Sequence, residues 1–204
     1  MKALSGEFNF SVGNTVRGYV TKVENEWVWL TVSQNIRAHL YILDSSCEPS
    51  ELQEFQKSYS IGQPVEGRII SVHKEKRLLR LKSCLSSLVD HDSLSEGIQE
   101  NNVSDANVAE HIMQGDIIGG RIKKILPGVG GLLVQIGPHR YGRVHYTELM
   151  DTWVSHPLSG YEEGQFVKCK VLEISRSSDG LLHVDLSLRS SLLSIQSTVP
   201  SGSM

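Results

Sequence analysis

The sequence predicts an all-β protein made of two small five-stranded barrels in tandem. Three observations predict it. The chain repeats itself at a nearly fixed offset, its apolar residues alternate with period two, and one short helical segment interrupts each copy.

The repeat comes first. One unit opens near Val12-Gly13-Asn14-Thr15-Val16-Arg17-Gly18-Tyr19-Val20, the other near Gln114-Gly115-Asp116-Ile117-Ile118-Gly119-Gly120-Arg121-Ile122. Gly13 and Gly115, Val16 and Ile118, Gly18 and Gly120, Val20 and Ile122, and Val23 and Ile125 all lie 102 residues apart. Ile61-Gly62-Gln63-Pro64-Val65 and Glu163-Gly164-Gln165-Phe166-Val167 return to the same spacing. Between these anchors the offset is 104, because Leu126-Pro127-Gly128-Val129-Gly130-Gly131 makes a longer turn than its counterpart.

The strands follow in order. Val28, Leu30 and Val32 alternate with Trp27, Trp29 and Thr31, and Leu132, Val134 and Ile136 alternate likewise in the second copy. Such alternation marks a half-buried strand, with one set facing the core and the other facing out. Val65 and Ile69, and Val167 and Val171, belong to later strands. Ser178-Asp179-Gly180 signals a tight turn between two strands, where the first copy has the shorter, basic Lys74-Glu75-Lys76-Arg77. The segment Pro49–Phe55 reads as a short helix with acids in its first turn, and Thr147–Trp153 as one or two helical turns. Five strands with a short helix between the third and fourth is the layout of a Greek-key OB-type barrel.

This gives a first barrel over 10–84, an acidic linker over 85–112, a second barrel over 113–191 and a disordered tail over 192–204. A short helix from Ala106 to Met113 fits the end of the linker. The linker is rich in Ser, Asn, Asp and Glu and holds six acids with no Lys or Arg.

Composition bounds the function. The chain has 204 residues, 39% hydrophobic and 21% charged, enough apolar material for a core. No run approaches the roughly 18 apolar residues of a membrane helix. The start lacks the apolar stretch of a signal peptide, so an intracellular protein is expected. Cys47, Cys84 and Cys169 are far apart and read as reduced structural thiols. The net charge is −3. Residues 10–84 carry 10 bases and 8 acids, and residues 115–191 carry 9 bases and 8 acids. Neither unit has the strong basic field of a stand-alone tight nucleic-acid binder.

Gly142-Arg143-Val144-His145-Tyr146-Thr147-Glu148-Leu149 resembles the Gly-Leu-Val-His-Ile-Ser-Glu-Leu run of the S1 RNA-binding domain. Gly131-Leu132-Leu133-Val134 sits where that family has Gly-Ala-Phe-Val. Gly164–Val171 and Leu186-Ser187-Leu188-Arg189 resemble its last two strands. The first copy is more divergent, with Ala38–Leu43 in place of the middle motif. The tandem is similar to that in the large, many-repeat S1 scaffolds of pre-ribosomal-RNA processing. The resemblance implies a non-catalytic module that binds single-stranded, pre-ribosomal RNA. It also implies a monomer in the nucleus or nucleolus, with other ribosome-assembly factors as further partners and no membrane.

Candidate site residues follow from the register and the resemblance together. On the first barrel, Trp27 and Trp29 point outward, Trp29 and Tyr41 fall at the family's stacking positions, and Tyr19 alternates outward on the first strand. Arg17, Lys22, Arg37 and His39 lie near the same surface. Exposed rings among bases suit unpaired nucleotides: rings stack bases and cations neutralise phosphates. On the second barrel, His145 falls at the family's RNA-facing His, among Arg121, Lys123, Lys124, Arg140 and Arg143, with Tyr141 as a further ring. There Leu133 replaces the stacking Phe and offers no π face. The same features have a second reading, in which the rings dock protein or pack inside the chain and the repeats serve as a protein–protein scaffold.

No catalytic residues, cofactor or metal are expected. The glycines of Gly128–Gly131 lead into a strand, whereas a phosphate loop opens a helix. His139 and His145 do not have metal-ligand spacing.

Overall fold

The computed structural model describes residues 9–83, 112–178 and 182–194. Residues 85–111 of the linker, with most of the expected Ala106–Met113 helix, and most of the tail lie outside them, as do Cys84 and the Ser178-Asp179-Gly180 turn beyond Ser178.

The described residues form two compact units, each holding one closed five-stranded barrel. In the first unit, β1 (Thr15–Val23), β2 (Trp27–Ser33), β3 (Ile36–Tyr41), β4 (Pro64–His73) and β5 (Leu78–Lys82) close in the order β1-β2-β3-β5-β4. The β3–β5 pair is parallel and the rest antiparallel. In the second unit, β6 (Ile117–Leu126), β7 (Gly131–Gly137), β8 (Arg140–Val144), β9 (Phe166–Arg176) and β10 (Leu182–Ser187) close as β10-β8-β7-β6-β9, with β8–β10 parallel. Both have the five-stranded all-β architecture read from the repeat.

The repeat is visible in the backbone. The Gly62 N–H donates to the Val20 carbonyl at 2.8 Å, and the Gly164 N–H to the Ile122 carbonyl at 2.7 Å. These glycines have φ of +85° and +90°, the left-handed conformation that glycine adopts without a Cβ penalty. The same turn is therefore built twice, 102 residues apart.

The alternation fills each barrel. Val20, Val28, Leu30, Ala38, Leu40, Ile69, Leu79 and Leu81 are buried in the first, and Ile122, Leu132, Val134, Val144, Cys169, Val171, Val184 and Leu186 in the second. Val32 is only half-buried, near the end of β2. Cys47 is buried as well. Burial pushes the Cys169 thiol up to about 12, so it stays protonated and packs as a small apolar group.

Between β3 and β4 lie two short helices, α1 (Ile42–Ser45) and α2 (Pro49–Gln53). The expected helix is thus present but shorter, and it is preceded by a turn the sequence reading did not contain. In the second unit the counterpart is a single 3-10 turn, Tyr146–Glu148, and Asp151–Trp153 is not helical. The last element is α3 (Ser190–Leu193), where the Ser191 backbone N–H donates to Asp151 at 3.0 Å. It crosses the 191/192 boundary at which the tail was expected to begin.

Candidate nucleic-acid interface

The outer faces of β1–β3 and β6–β8 occupy equivalent places in their barrels. Val28 opposes Leu40 as Leu132 opposes Val144, and Trp29 opposes His39 as Leu133 opposes Arg143. By the same register Tyr41 is the counterpart of His145, and Arg37 that of Tyr141.

On the first face the rings are largely engaged with one another. The Trp27 ring stacks on His39 at 4.7 Å and meets Tyr41 at 4.8 Å, and Trp29 meets His39 at 5.4 Å. The Arg80 guanidinium lies 5.8 Å from the Tyr41 ring and 6.0 Å from Trp27, and pairs with Asp44 at 2.7 Å. Tyr41 is 0% exposed, which corrects its expected place as an accessible stacking ring. Its register does turn it away from the barrel interior. The Trp27 ring and the Arg80 guanidinium lie against it, so a side chain on the outer face ends up under a second layer. Burial, with the charges of Arg80 and His73, pushes His39 down to about 4, and the ring is neutral at pH 7.

What remains accessible is narrower. Tyr19 is 50% exposed, Trp27 and Trp29 are half-buried, and Arg37 is exposed. Arg17 pairs with Glu66 at 2.5 Å and Lys22 with Glu24 at 2.5 Å. Glu24 also accepts a hydrogen bond from the Trp29 indole N–H at 3.1 Å. These two contacts, Lys22 first, hold its carboxyl below the usual range. A groove of about 310 Å³ beside Trp29 is lined by Thr21, Lys22, Glu24, Leu30 and Arg37. Sequence reasoning missed Glu24, Asp44 and Arg80. Glu24 stands two residues after Lys22, a visible spacing, whereas Arg80 reaches Asp44 only through the β3–β5 pairing.

The second face is open and cationic. Lys123, Lys124, Arg143, Tyr141 and His145 are exposed, and Arg121 and Arg140 are half-buried. Residues 117–145 contain five Lys and Arg and no acid, while the matching first-barrel residues 15–41 contain three bases and two acids. Arg121 donates to the Gln135 side chain at 3.0 Å and lies 5.9 Å from the Phe166 ring, which fixes its head near the β6–β7 surface. The Arg143 Nε donates to the Gly130 carbonyl at 3.2 Å. His145 Nδ1 accepts from the Thr147 backbone N–H at 3.3 Å, so Nε2 is the nitrogen left to face outward as a donor. Gly131 has φ +81°, and a Cβ there would sit 2.0 Å from the Val144 carbonyl oxygen. In the first barrel Trp27 stands at this position. The exchange of Trp27 for Gly131 and of Tyr41 for His145 leaves one face layered with rings and the other bare around its histidine.

Among the described residues, no group of three or more His, Cys, Asp or Glu is placed to hold a metal ion, and no helix is long and apolar enough to cross a membrane.

The fold and face of the second unit are those of an S1-type module: residues 111–182 match the S1 RNA binding domain family. The first unit is a closed five-stranded barrel of the same architecture. Among individual proteins, it is 49% identical over 193 residues to the rRNA biogenesis protein RRP5 of Arabidopsis thaliana, covering 92% of this chain and 10% of that protein. It is 24% identical to rRNA biogenesis protein rrp5 of Schizosaccharomyces pombe, over 82% of this chain and 8% of that one. It is 23% identical to the RRP5 homolog of Mus musculus, over 89% of this chain and 8% of that one. The chain thus resembles a fragment of these RRP5 proteins, spanning about a tenth of their length.

Proposed function

We propose that this chain is a non-catalytic RNA-binding segment of a ribosome-biogenesis scaffold, taking single-stranded pre-ribosomal RNA in the nucleolus. The observation that carries the reading is the second face: five bases and no acid over 117–145, in the unit that matches the S1 family. Phosphates follow Arg121, Lys123, Lys124, Arg140 and Arg143, and the outward nitrogen of His145 donates to a base edge or a phosphate oxygen. Tyr141, 41% exposed, supplies the stacking surface that Leu133 lacks. The contacts on one such barrel are few, so affinity comes from repeats in series, where each bound module raises the effective concentration of the next. The similarity to RRP5 proteins supports pre-ribosomal RNA as the target and assembly factors as neighbours.

The test is a titration of the chain with labelled single-stranded RNA and with duplex RNA of the same sequence. Preference for the single strand, weakened by Arg143→Ala and His145→Ala together, is the expected result. Equal binding of duplex and single strand, or binding indifferent to the double variant, would overturn the reading, and absence of RNA binding would favour a protein-docking scaffold.

A further inference from the structure

We propose that the first barrel is a base-selective site, with Glu24 reading the donor edge of a guanine stacked beside Trp29. The inference rests on the single-stranded RNA reading above and adds a specificity to it. It starts from an anomaly. Glu24 is a carboxylate on a face that should receive a polyanion, where a negative charge repels phosphate. Yet the chain holds it in place: one oxygen accepts from Lys22 at 2.5 Å and the other from the Trp29 indole at 3.1 Å. Those partners, Lys22 first, favour its ionised form. A fixed carboxylate at the edge of a stacking ring is an acceptor-only group beside a π surface.

Two carboxylate oxygens offer about four acceptor sites, of which two are used, so two remain. Guanine is the base whose pairing edge presents two adjacent donors, its ring N–H and its amino group. Uracil presents one donor between two carbonyls, and those carbonyls would face the carboxylate with like charge. Adenine and cytosine offer only an amino group beside an acceptor nitrogen. The groove of about 310 Å³ beside Trp29 accepts a single base, with Arg37 on its wall to meet the guanine carbonyl or the adjoining phosphate. Tyr19, exposed one strand over, can stack a neighbouring base. The second barrel has Leu126 or Pro127 where the first has Glu24, and Leu133 where it has Trp29, so this site belongs to the first barrel alone.

The experiment uses the full chain and two short single strands, seven uridines and the same strand with a central guanosine. Binding is followed by fluorescence anisotropy. The guanosine strand is expected to bind about tenfold tighter, the ratio for one bidentate base contact. Glu24→Gln, which keeps the shape and gives up one acceptor and the charge, should bring the two strands within about twofold, with uridine binding unchanged or slightly tighter. If wild type binds both strands equally, or if the preference persists in Glu24→Gln, the inference is overturned while the RNA reading stands. If Glu24→Gln tightens both strands by the same factor, Glu24 only repels phosphate, and the inference is again overturned. If wild type binds neither strand, the RNA reading itself fails, and the inference fails with it.

Discussion

Tyr41 and His145 stand at equivalent positions in the two barrels, and replacing each by alanine should give opposite results. Tyr41 is 0% exposed, touches the Trp27 ring at 4.8 Å and lies 5.8 Å from the Arg80 guanidinium. Tyr41→Ala removes a buried ring and opens a void beneath Trp27. Truncations of this kind cost about 3–5 kcal/mol. Loss of the Arg80 cation–π contact is counted within that range, since the Asp44 pair keeps the guanidinium in place. His145 is exposed, and its loss should shift stability by no more than about 0.5 kcal/mol. The assay is urea unfolding, followed by the fluorescence of Trp27 and Trp29 for the first unit and by circular dichroism for both units. A drop below about 1 kcal/mol for Tyr41→Ala, the centre of the range for ordinary substitutions, accompanied by weaker RNA binding, would refute the layered packing. It would return Tyr41 to the role of an accessible stacking ring.

Other outcomes follow from the same geometry. His39 is held neutral with its pKa at about 4, against about 6.5 unfolded. The unfolded chain therefore binds more protons between these values. The resulting stability is intact above about pH 6.5 and lost as pH falls toward 4, by up to about 3 kcal/mol. Unfolding the wild type and His39→Gln at several pH values in this window should show a slope that the variant lacks. Gly131→Ala places a Cβ against the Val144 carbonyl at positive φ and should destabilise the second unit by at least about 2 kcal/mol, read as a fall in its Tm. A neutral Gly131→Ala would mean the β7–β8 junction relaxes freely.

Much of this architecture was legible in the sequence, because its causes are local. Alternation along Trp27–Ser33 states which side of β2 faces the core, and glycines 102 residues apart state where each turn recurs. The outward register of Tyr41 was legible too, but its burial was not. That depends on Trp27 lying against it and on Arg80 arriving from β5, where Asp44 of α1 pairs with it, none of which is a local property of β3. The basic residues of the second face were readable one by one. Their significance comes from the absence of any acid on the same three strands, which a near-neutral total for the unit conceals. Glu24 could have been noticed two residues after Lys22. Its hydrogen bond to Trp29 appears only when the β1–β2 turn brings position 24 beside position 29. The second helical segment is a single 3-10 turn, and Asp151 beyond it receives the α3 backbone, so the acid expected within a helix ties down the end of the unit.

The claim that the β6–β8 face carries RNA meets its most direct test in the salt dependence of binding. Each phosphate neutralised on a single strand contributes a slope of about −0.7 to log affinity against log salt. Lys123 and Lys124 are exposed on β6, and neither supports the barrel core. Replacing both by alanine should leave the Tm in place and flatten the slope by about 1.4, the sum of two lost contacts. An unchanged slope with folded protein would contradict the claim and move the RNA elsewhere on the chain.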